Sequence, residues 1–142
     1  MSMLSWSRLA IVAIWSATAV ACDSSAGPSV PLGSDFVLEP GESASVSTTG
    51  FQVRFDGVTN DSRCPADAVC ITIGDAEVAL SVVRQAGPER ISLRTGPSGN
   101  QASIGEWSLI LTKLEPYPYL SRPVSPSDYR VTLRVERLGP SQ

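Results

Sequence analysis

Regular alternation of apolar and polar side chains is the feature of this chain that most constrains its fold. The clearest case runs from Tyr129 to Glu136, where every second residue is apolar and those between are charged or polar. Because successive side chains of a β-strand point to opposite faces, this period of two indicates strands with one buried and one solvated face. Beyond the N-terminal region no segment keeps a period of 3.6 over a helix length, so we predict an all-β domain.

The alternation recurs often enough to predict about seven strands. The breaks between the alternating segments carry turn residues, as at Pro40-Gly41, Gly87-Pro88 and the run from Gly96 to Asn100. Short antiparallel strands at this spacing predict an immunoglobulin-like antiparallel β-sandwich, with a small barrel as the alternative. We place the strands near residues 34–38, 43–48, 51–58, 71–83, 89–95, 104–114 and 129–138.

The N-terminus has the order of segments found in export signals. Arg8 is the only charged side chain before Leu9–Val20, which is almost wholly apolar, and small residues then precede Cys22. This apolar run is too short to cross a bilayer as a permanent helix, so we predict a cleaved signal peptide over residues 1–21. The sequence Val20-Ala21-Cys22 resembles the lipobox of bacterial lipoproteins, which implies that Cys22 is acylated and becomes the first residue of the mature chain.

Two other fates of the N-terminal segment stay open. Cleavage after Ala21 without acylation would give a secreted protein, and an uncleaved segment would act as a signal anchor. The three cysteines favour acylation, because an odd number leaves one free thiol in an oxidising compartment. If Cys64 pairs with Cys70, acylation of Cys22 removes that thiol. We therefore expect an exported protein, anchored by its lipid on the periplasmic or outer face of an inner or outer membrane.

The composition divides the chain after the predicted signal peptide into a tether and a domain. Residues 22–33 are rich in Ser, Gly and Pro and are predicted to be a tether, which leaves residues 34–142 as one β domain.

The charge and the residue composition exclude several classes of protein. Loss of the signal peptide removes Arg8 and no acidic residue, so the net charge changes from −3 to −4, and this acidic balance predicts no nucleic-acid partner. The chain has no histidine, the commonest general base and transition-metal ligand. We expect no enzyme activity, no catalytic residue, no cofactor and no metal site.

A cluster of special residues surrounds the two remaining cysteines. Asp61-Ser62-Arg63-Cys64-Pro65 is followed by Cys70 and then by Gly74-Asp75-Ala76. In this arrangement, in a later loop of alternating proline and tyrosine, and in its last strand, the chain resembles a group of small exported bacterial proteins of unassigned activity. The resemblance runs from about Leu38 to Leu138 and implies export and fold, but no reaction. Thr72 departs from the pattern, in which that position is aromatic, often tryptophan.

Two loops are candidates for a binding surface. A Cys64–Cys70 disulfide would close a short loop. Arg63, directly before this loop, can pair with Asp61 or Asp67. The alternatives are a purely structural staple and a redox pair, for which the spacing does not fit a C-x-x-C motif. The prolines of residues 115–119 cannot continue a central strand, so this segment is expected to be a loop with exposed tyrosines for a sugar or protein partner. The candidate residues are Asp61, Arg63, Asp67, Asp75, Tyr117 and Tyr119.

Other chemistries find less support in the sequence. Four aspartates could supply carboxylates to a calcium ion, but their spacing does not match an EF-hand loop. The alternative is that they cap turns or are simply exposed to solvent. They are Asp56, Asp61, Asp67 and Asp75. A glycan-binding accessory domain stays an alternative. A hydrolase with two catalytic carboxylates is the weakest hypothesis, since no pair singles itself out. Lys113, the only lysine, has no nucleophile motif beside it.

Two aromatic residues are assigned to the interior. Trp107 lies on the inward face of its predicted strand and is expected in the core. Tyr129 either forms a tyrosine corner, with its hydroxyl bonded to nearby backbone, or is simply the first inward residue of the last strand.

Together the sequence observations predict a membrane-anchored lipoprotein of the cell envelope that acts as a non-catalytic binding or structural module. Its expected partners are the membrane, through the anchor, and an envelope protein or glycan.

Overall fold

The computed structural model describes residues 27–139. The predicted signal peptide, the acylation site Cys22 and residues 22–26 of the tether therefore lie outside the described residues. Over residues 27–139 the chain is built from β-strands, with one short 3-10 helix at Pro126–Asp128 and no α-helix. The all-β prediction is confirmed. Among the residues described, no helix has the length and apolar character needed to span a bilayer.

The strands form two sheets, of five and four strands. The first, sheet A, has the order β1-β3-β4-β5-β6, and the second, sheet B, has the order β2-β9-β8-β7. Neighbouring strands are antiparallel except for β1 and β3, which are parallel. The strands are β1 (Ser29–Val30), β2 (Asp35–Leu38), β3 (Ser43–Val46), β4 (Gln52–Asp61), β5 (Ala76–Arg84), β6 (Gly87–Arg94), β7 (Gln101–Ile104), β8 (Trp107–Glu115) and β9 (Arg130–Arg137).

One apolar core holds the two sheets together, as expected of a β-sandwich. Alternate residues of β5 and of β9 are buried, and both sets belong to the same cluster of buried side chains. Phe55 of sheet A and Leu133 of sheet B are fully buried members of it. Trp107 is partly buried and packs against this cluster, in agreement with its predicted place in the core. The alternation in the sequence therefore has the cause proposed for it, because the apolar positions are those that face the opposite sheet.

The strands that pair with each other here are not those that pair in an immunoglobulin domain. Strands β3 to β6 follow one another as hairpins in sheet A, and β7 to β9 do so in sheet B. In the immunoglobulin fold several central pairs join strands that are remote in sequence. Here the pairing of β2 with β9 is the long-range antiparallel connection among the described strands. The sandwich is consistent with the prediction, and its immunoglobulin-like type is not confirmed.

Two of the predicted strands have different boundaries in the structure. The predicted strand 104–114 comprises parts of two strands, β7 and β8, joined by a tight turn at Gly105, whose φ of +62° suits glycine. The predicted strand 71–83 begins only at Ala76, because pairing with β4 ends at the Asp61–Ala76 pair. Alternation predicted a strand over residues 71–75, but side chains that alternate there have no opposing sheet to cover them.

Part of the predicted tether lies against the domain. Val30 belongs to β1 and packs partly against the core, and the amide of Ser45 in β3 donates to the carbonyl of Pro28. The amide of Gly33 donates to Val135 in sheet B. Since proline and glycine are compatible with an edge strand and a tight turn, the composition of this segment did not distinguish it from a free linker.

Candidate functional site

Two loops lie at one end of the sandwich, each between the strands of a hairpin. The disulfide loop, residues 62–75, connects β4 to β5 above the Asp61–Ala76 pair. The proline loop, residues 116–129, connects β8 to β9 above the Glu115–Arg130 pair. These loops contain nearly all the residues that the sequence proposed for binding, and the contacts described below show that they form one structure.

The disulfide loop is closed at two levels. Cys64 and Cys70 form the predicted disulfide, with their Cα atoms 5.9 Å apart. Nearer the sheet, the amide and the hydroxyl of Ser62 both donate to the carbonyl of Asp75, at 2.9 and 2.8 Å. A Cβ atom at Gly74 would lie 1.7 Å from the carbonyl oxygen of Ser62, so only glycine permits this approach. Gly74 is therefore required for the loop to close in this way, whereas Asp75 contributes only its backbone carbonyl to the closure.

Arg63 joins the two loops from below. Its side chain is buried, and its Nε and Nη2 atoms donate to the two carboxylate oxygens of Asp61 at 2.8 and 2.6 Å. Nη1 donates to the carbonyl of Leu114, and Nη2 also donates to that of Pro116, each at 2.9 Å. The planar guanidinium is suited to such a fork of acceptors. Of the two aspartates considered as partners of Arg63, Asp61 is the one it contacts.

Tyr129, the last residue of the proline loop before β9, completes this buried cluster. Its ring is buried in the core, and its hydroxyl donates to Oδ2 of Asp61 at 3.0 Å. Burial, followed by the hydrogen bond to Asp61, raises the pKa of the Tyr129 hydroxyl. The hydroxyl therefore bonds a carboxylate of sheet A instead of nearby backbone, and this differs from the tyrosine corner that the sequence suggested.

Asp61 is the common acceptor of the cluster. Burial is the largest influence on the pKa of this carboxyl group and raises it, but the hydrogen bonds from Arg63 and Tyr129 and the positive charge of Arg63 together lower it more. The net result is a pKa below the ordinary value, so the carboxylate is charged at neutral pH. Because its partners are a cation and a hydroxyl of the same fold, Asp61 has a structural part in holding the loops.

Asp67 fastens the tip of the disulfide loop to the proline loop. Its carboxylate accepts from the backbone amides of Leu120 at 2.7 Å and Ser121 at 3.2 Å. The bond from Leu120 is the main cause of a pKa below the ordinary value for Asp67. Next to it, the amide of Ala66 donates to the carbonyl of Pro118 at 2.9 Å. The two loops are thus connected at the tip as well as at the base.

The remaining aspartates do not join this cluster. Asp75 lies 3.4 Å from Nη1 of Arg94, and Asp56 accepts from the hydroxyl of Ser81 at 2.6 Å. Over residues 27–139, no three acidic, cysteine or histidine side chains come together as a metal site would require. The four aspartates considered for calcium are therefore not placed around one point.

The two loops carry most of the exposed large hydrophobic residues of the described chain. Nine large hydrophobic residues are exposed in the described part of the chain, and six of them lie here. Val69, Ile71 and Ile73 are 94–104% exposed, whereas Tyr117 and Tyr119 are about half exposed. We call these five residues and Leu120 the apolar end. The tyrosines were predicted from sequence, but Ile71 and Ile73 were missed because their alternation was attributed to a strand, and Val69 and Leu120 were not singled out.

Two shallow depressions flank Tyr117. One, of about 330 Å³, is lined by Ile73, Pro97 and Leu114 among others, and the second, of about 240 Å³, is lined by Pro123 and Val124 among others. The guanidinium of Arg63 lies 5.3 Å from the centre of the Tyr117 ring, which fixes the ring between them. The apolar end is therefore a surface with depressions beside Tyr117 and Ile73.

Comparison with known proteins leaves this site to be interpreted from its own geometry. No family model matches the chain, and neither does any curated protein or any solved structure.

Proposed function

We propose that this chain is an exported lipoprotein of a bacterial cell envelope, acylated at Cys22. In this proposal the β-sandwich is a non-catalytic binding module, and the apolar end is the surface through which it binds. The lipobox-like sequence before Cys22 and the resemblance to small exported proteins support export. The disulfide between Cys64 and Cys70 supports an oxidising compartment.

The observation that carries the binding role is the concentration of exposed apolar side chains on the two connected loops. Scattered hydrophobic residues are normal on a protein surface, whereas a contiguous patch marks a site of interaction. The disulfide, the Arg63–Asp61 pair and the bonds of Asp67 hold this surface in one shape. Rigid loops on a sandwich are a common place for binding residues.

The finer interpretations of the sequence receive unequal support. The alternating strands support an immunoglobulin-like sandwich, whereas the order of the strands and the bond of the Tyr129 hydroxyl to Asp61 do not. Calcium binding receives no support from the positions of the described aspartates.

Export and acylation are tested by the intact mass of protein extracted from membranes of the producing cell. We expect loss of residues 1–21, the added mass of a diacylglyceryl group on Cys22, and a mass two hydrogens lower from the disulfide. A soluble product that keeps residues 1–21 and has three reduced thiols would contradict the proposal.

The binding surface is tested by photocrosslinking in intact cells. A photoreactive phenylalanine analogue replaces Tyr119 in the apolar end, and in a matched control it replaces Val83, which is exposed to a similar degree on β5. We expect adducts from position 119 and none from position 83. Equal yields at the two positions would remove the apolar end from the proposed function.

A further inference from the structure

We infer that a depression in the proline loop binds a small dipolar molecule, one that carries both an ammonium and a carboxylate group, as an amino acid or a short peptide does. Arg122 would receive the carboxylate and Asp128 the ammonium group. Both residues line the depression of about 240 Å³ beside Tyr117, which we call the proline-loop depression. The inference goes beyond the proposed function, because it depends neither on acylation of Cys22 nor on a partner of the apolar end.

Arg122 and Asp128 carry opposite charges that the described part of the fold does not neutralise. Over residues 27–139 neither side chain forms an ion pair, with the other or with a third residue. Arg130, the cation nearest to Asp128 in sequence, pairs with Glu39 at 2.9 Å. A cation and an anion that line one depression and stay unpaired are complementary to a ligand with both charges.

The backbone fixes the two charged residues on separate segments of the proline loop. The amide of Arg122 donates to the carbonyl of Tyr119 at 3.2 Å, and its guanidinium lies 5.9 Å from the centre of the Tyr119 ring. Asp67 accepts the amides of the two residues before Arg122. Asp128 ends the 3-10 helix, and its amide donates to a carbonyl of the same turn at 2.9 Å. Because these positions are held before a ligand arrives, binding costs less ordering.

The rest of the lining is mostly apolar. It consists of Pro116, Pro123 and Val124 with the ring of Tyr117. Val124 packs against the core, and Arg63 lies 5.3 Å from the centre of the Tyr117 ring, so this wall is fixed as well. The volume lies below the roughly 300–1,000 Å³ of pockets for drug-sized ligands, so the ligand is small. An apolar group beside the two charges, as in leucine, fits this lining.

A ligand with one charge fits the proline-loop depression less well. An anion that pairs with Arg122 also meets the carboxylate of Asp128, and a cation that pairs with Asp128 meets the guanidinium. Such repulsion contributes to specificity as much as attraction does. The arrangement therefore favours a dipolar ligand over a simple anion or cation.

The test uses the full chain, purified from the producing cell in detergent micelles and titrated with small probes. L-leucine and the dipeptide leucyl-leucine carry both charges, and these two probes distinguish a free amino acid from a peptide as the source. N-acetyl-leucine lacks the ammonium group, and leucinamide lacks the carboxylate. The readout is the change in the NMR signals of the backbone amides of the proline loop.

We expect leucine or leucyl-leucine to bind with a millimolar Kd. Its affinity should exceed that of both singly charged probes by about two- to fivefold, the effect of one exposed ion pair. Arg122→Gln should weaken binding of N-acetyl-leucine and leave leucinamide unchanged, whereas Asp128→Asn should do the reverse. The matched control is Arg90→Gln, because Arg90 of β6 is also exposed and has no ion pair among residues 27–139; it should bind every probe as wild type does.

The selectivity of each variant distinguishes binding from a structural role. Equal affinity for the dipolar and the singly charged probes would overturn the inference. So would an equal loss for all probes in either variant, or amide signals that no probe changes. Thermal unfolding of each variant confirms that its fold is intact. None of these results bears on the mass of Cys22 or on photocrosslinks from position 119, which test the proposed function.

Discussion

Arg63 connects the disulfide loop to the proline loop beneath the apolar end. It is the one buried cation of the described residues. Its side chain donates hydrogen bonds to Asp61 at the end of β4, to Leu114 near the end of β8, and to Pro116 in the proline loop. A buried charge is costly unless it is paired and fully hydrogen-bonded, and Asp61 together with two carbonyls meets that condition. The loops therefore depend on a polar cluster as well as on apolar packing.

Substitution of Arg63 should destabilise the whole domain. In Arg63→Met the carboxylate of Asp61 stays partly buried and loses its cation, and loss of one partner of a buried pair costs about 3–5 kcal/mol. We expect the lower part of this range, since Tyr129 still donates to Asp61. The measurement is urea unfolding of the two proteins at neutral pH.

A matched control for this substitution is Arg54→Met. Arg54 also pairs with an aspartate, Asp56, at 3.6 Å, but its side chain is 53% exposed. Exposed pairs contribute about 0–1 kcal/mol, so the free energy of unfolding should hardly change. Similar losses for the two variants would show that burial of the Arg63 pair is not what matters.

The pKa of Asp61 predicts a dependence of stability on acid. Its folded-state pKa lies below the unfolded value of about 3.9, so the charged form stabilises the fold above that pH. This contribution is lost as the pH falls from about 4 through the folded-state pKa. Asp61→Asn should therefore lose less stability than wild type between pH 5 and pH 2, measured by thermal unfolding.

Some acid sensitivity should remain in that variant, because the pKa of Asp67 is also lowered. Arg63→Met offers a second check, since without the guanidinium burial raises the pKa of Asp61 and its contribution shrinks or reverses. An unchanged pH dependence in both variants would contradict a charged Asp61 in the folded state.

At the scale of elements, the two loops and the hairpins below them form one unit. The strands end where backbone pairing ends, and the loops continue with bonds of their own between Asp67, Ala66 and the proline loop. The disulfide is a local closure within this unit, because Cys64 and Cys70 are six residues apart. Its removal should therefore loosen the tip without unfolding the sandwich.

The variant Cys64→Ala/Cys70→Ala should lose about 2–3 kcal/mol of stability on the chain-entropy account of so short a loop. We expect a single cooperative thermal transition at a lower midpoint, together with faster amide exchange confined to residues 64–73. Reductant should lower the midpoint of wild type and leave the variant unchanged. Loss of all β-sheet circular dichroism would contradict a local role for the disulfide.

At the scale of the whole molecule, the N-terminal part of the described residues connects the two sheets. Strand β1 pairs with β3 of sheet A, and the amide of Gly33 donates to the carbonyl of Val135 in sheet B at 2.8 Å. Residues 28–33, which composition predicted to be part of a tether, are therefore integrated into the sandwich.

The sequence by itself determined the class of fold and the place of the loops. Alternation of apolar residues is a local property of the chain, so it predicted most strands and the buried face of each. The count of three cysteines, with Cys22 assigned to the lipid, likewise predicted the disulfide between Cys64 and Cys70. The same local pattern misled at Ile71 and Ile73, where alternation continues although no sheet covers the side chains.

Only the tertiary structure decided what the candidate residues do. Asp61, Arg63 and Asp67 were proposed for binding, yet their partners are Tyr129, Leu114 and Leu120, which lie far along the chain. Such contacts depend on which strand ends meet at one end of the sandwich, and no local spacing encodes that. Burial likewise results from packing of two sheets. For this reason Asp61, Arg63 and Asp67 have structural roles, whereas the exposed aliphatic residues form the candidate binding surface.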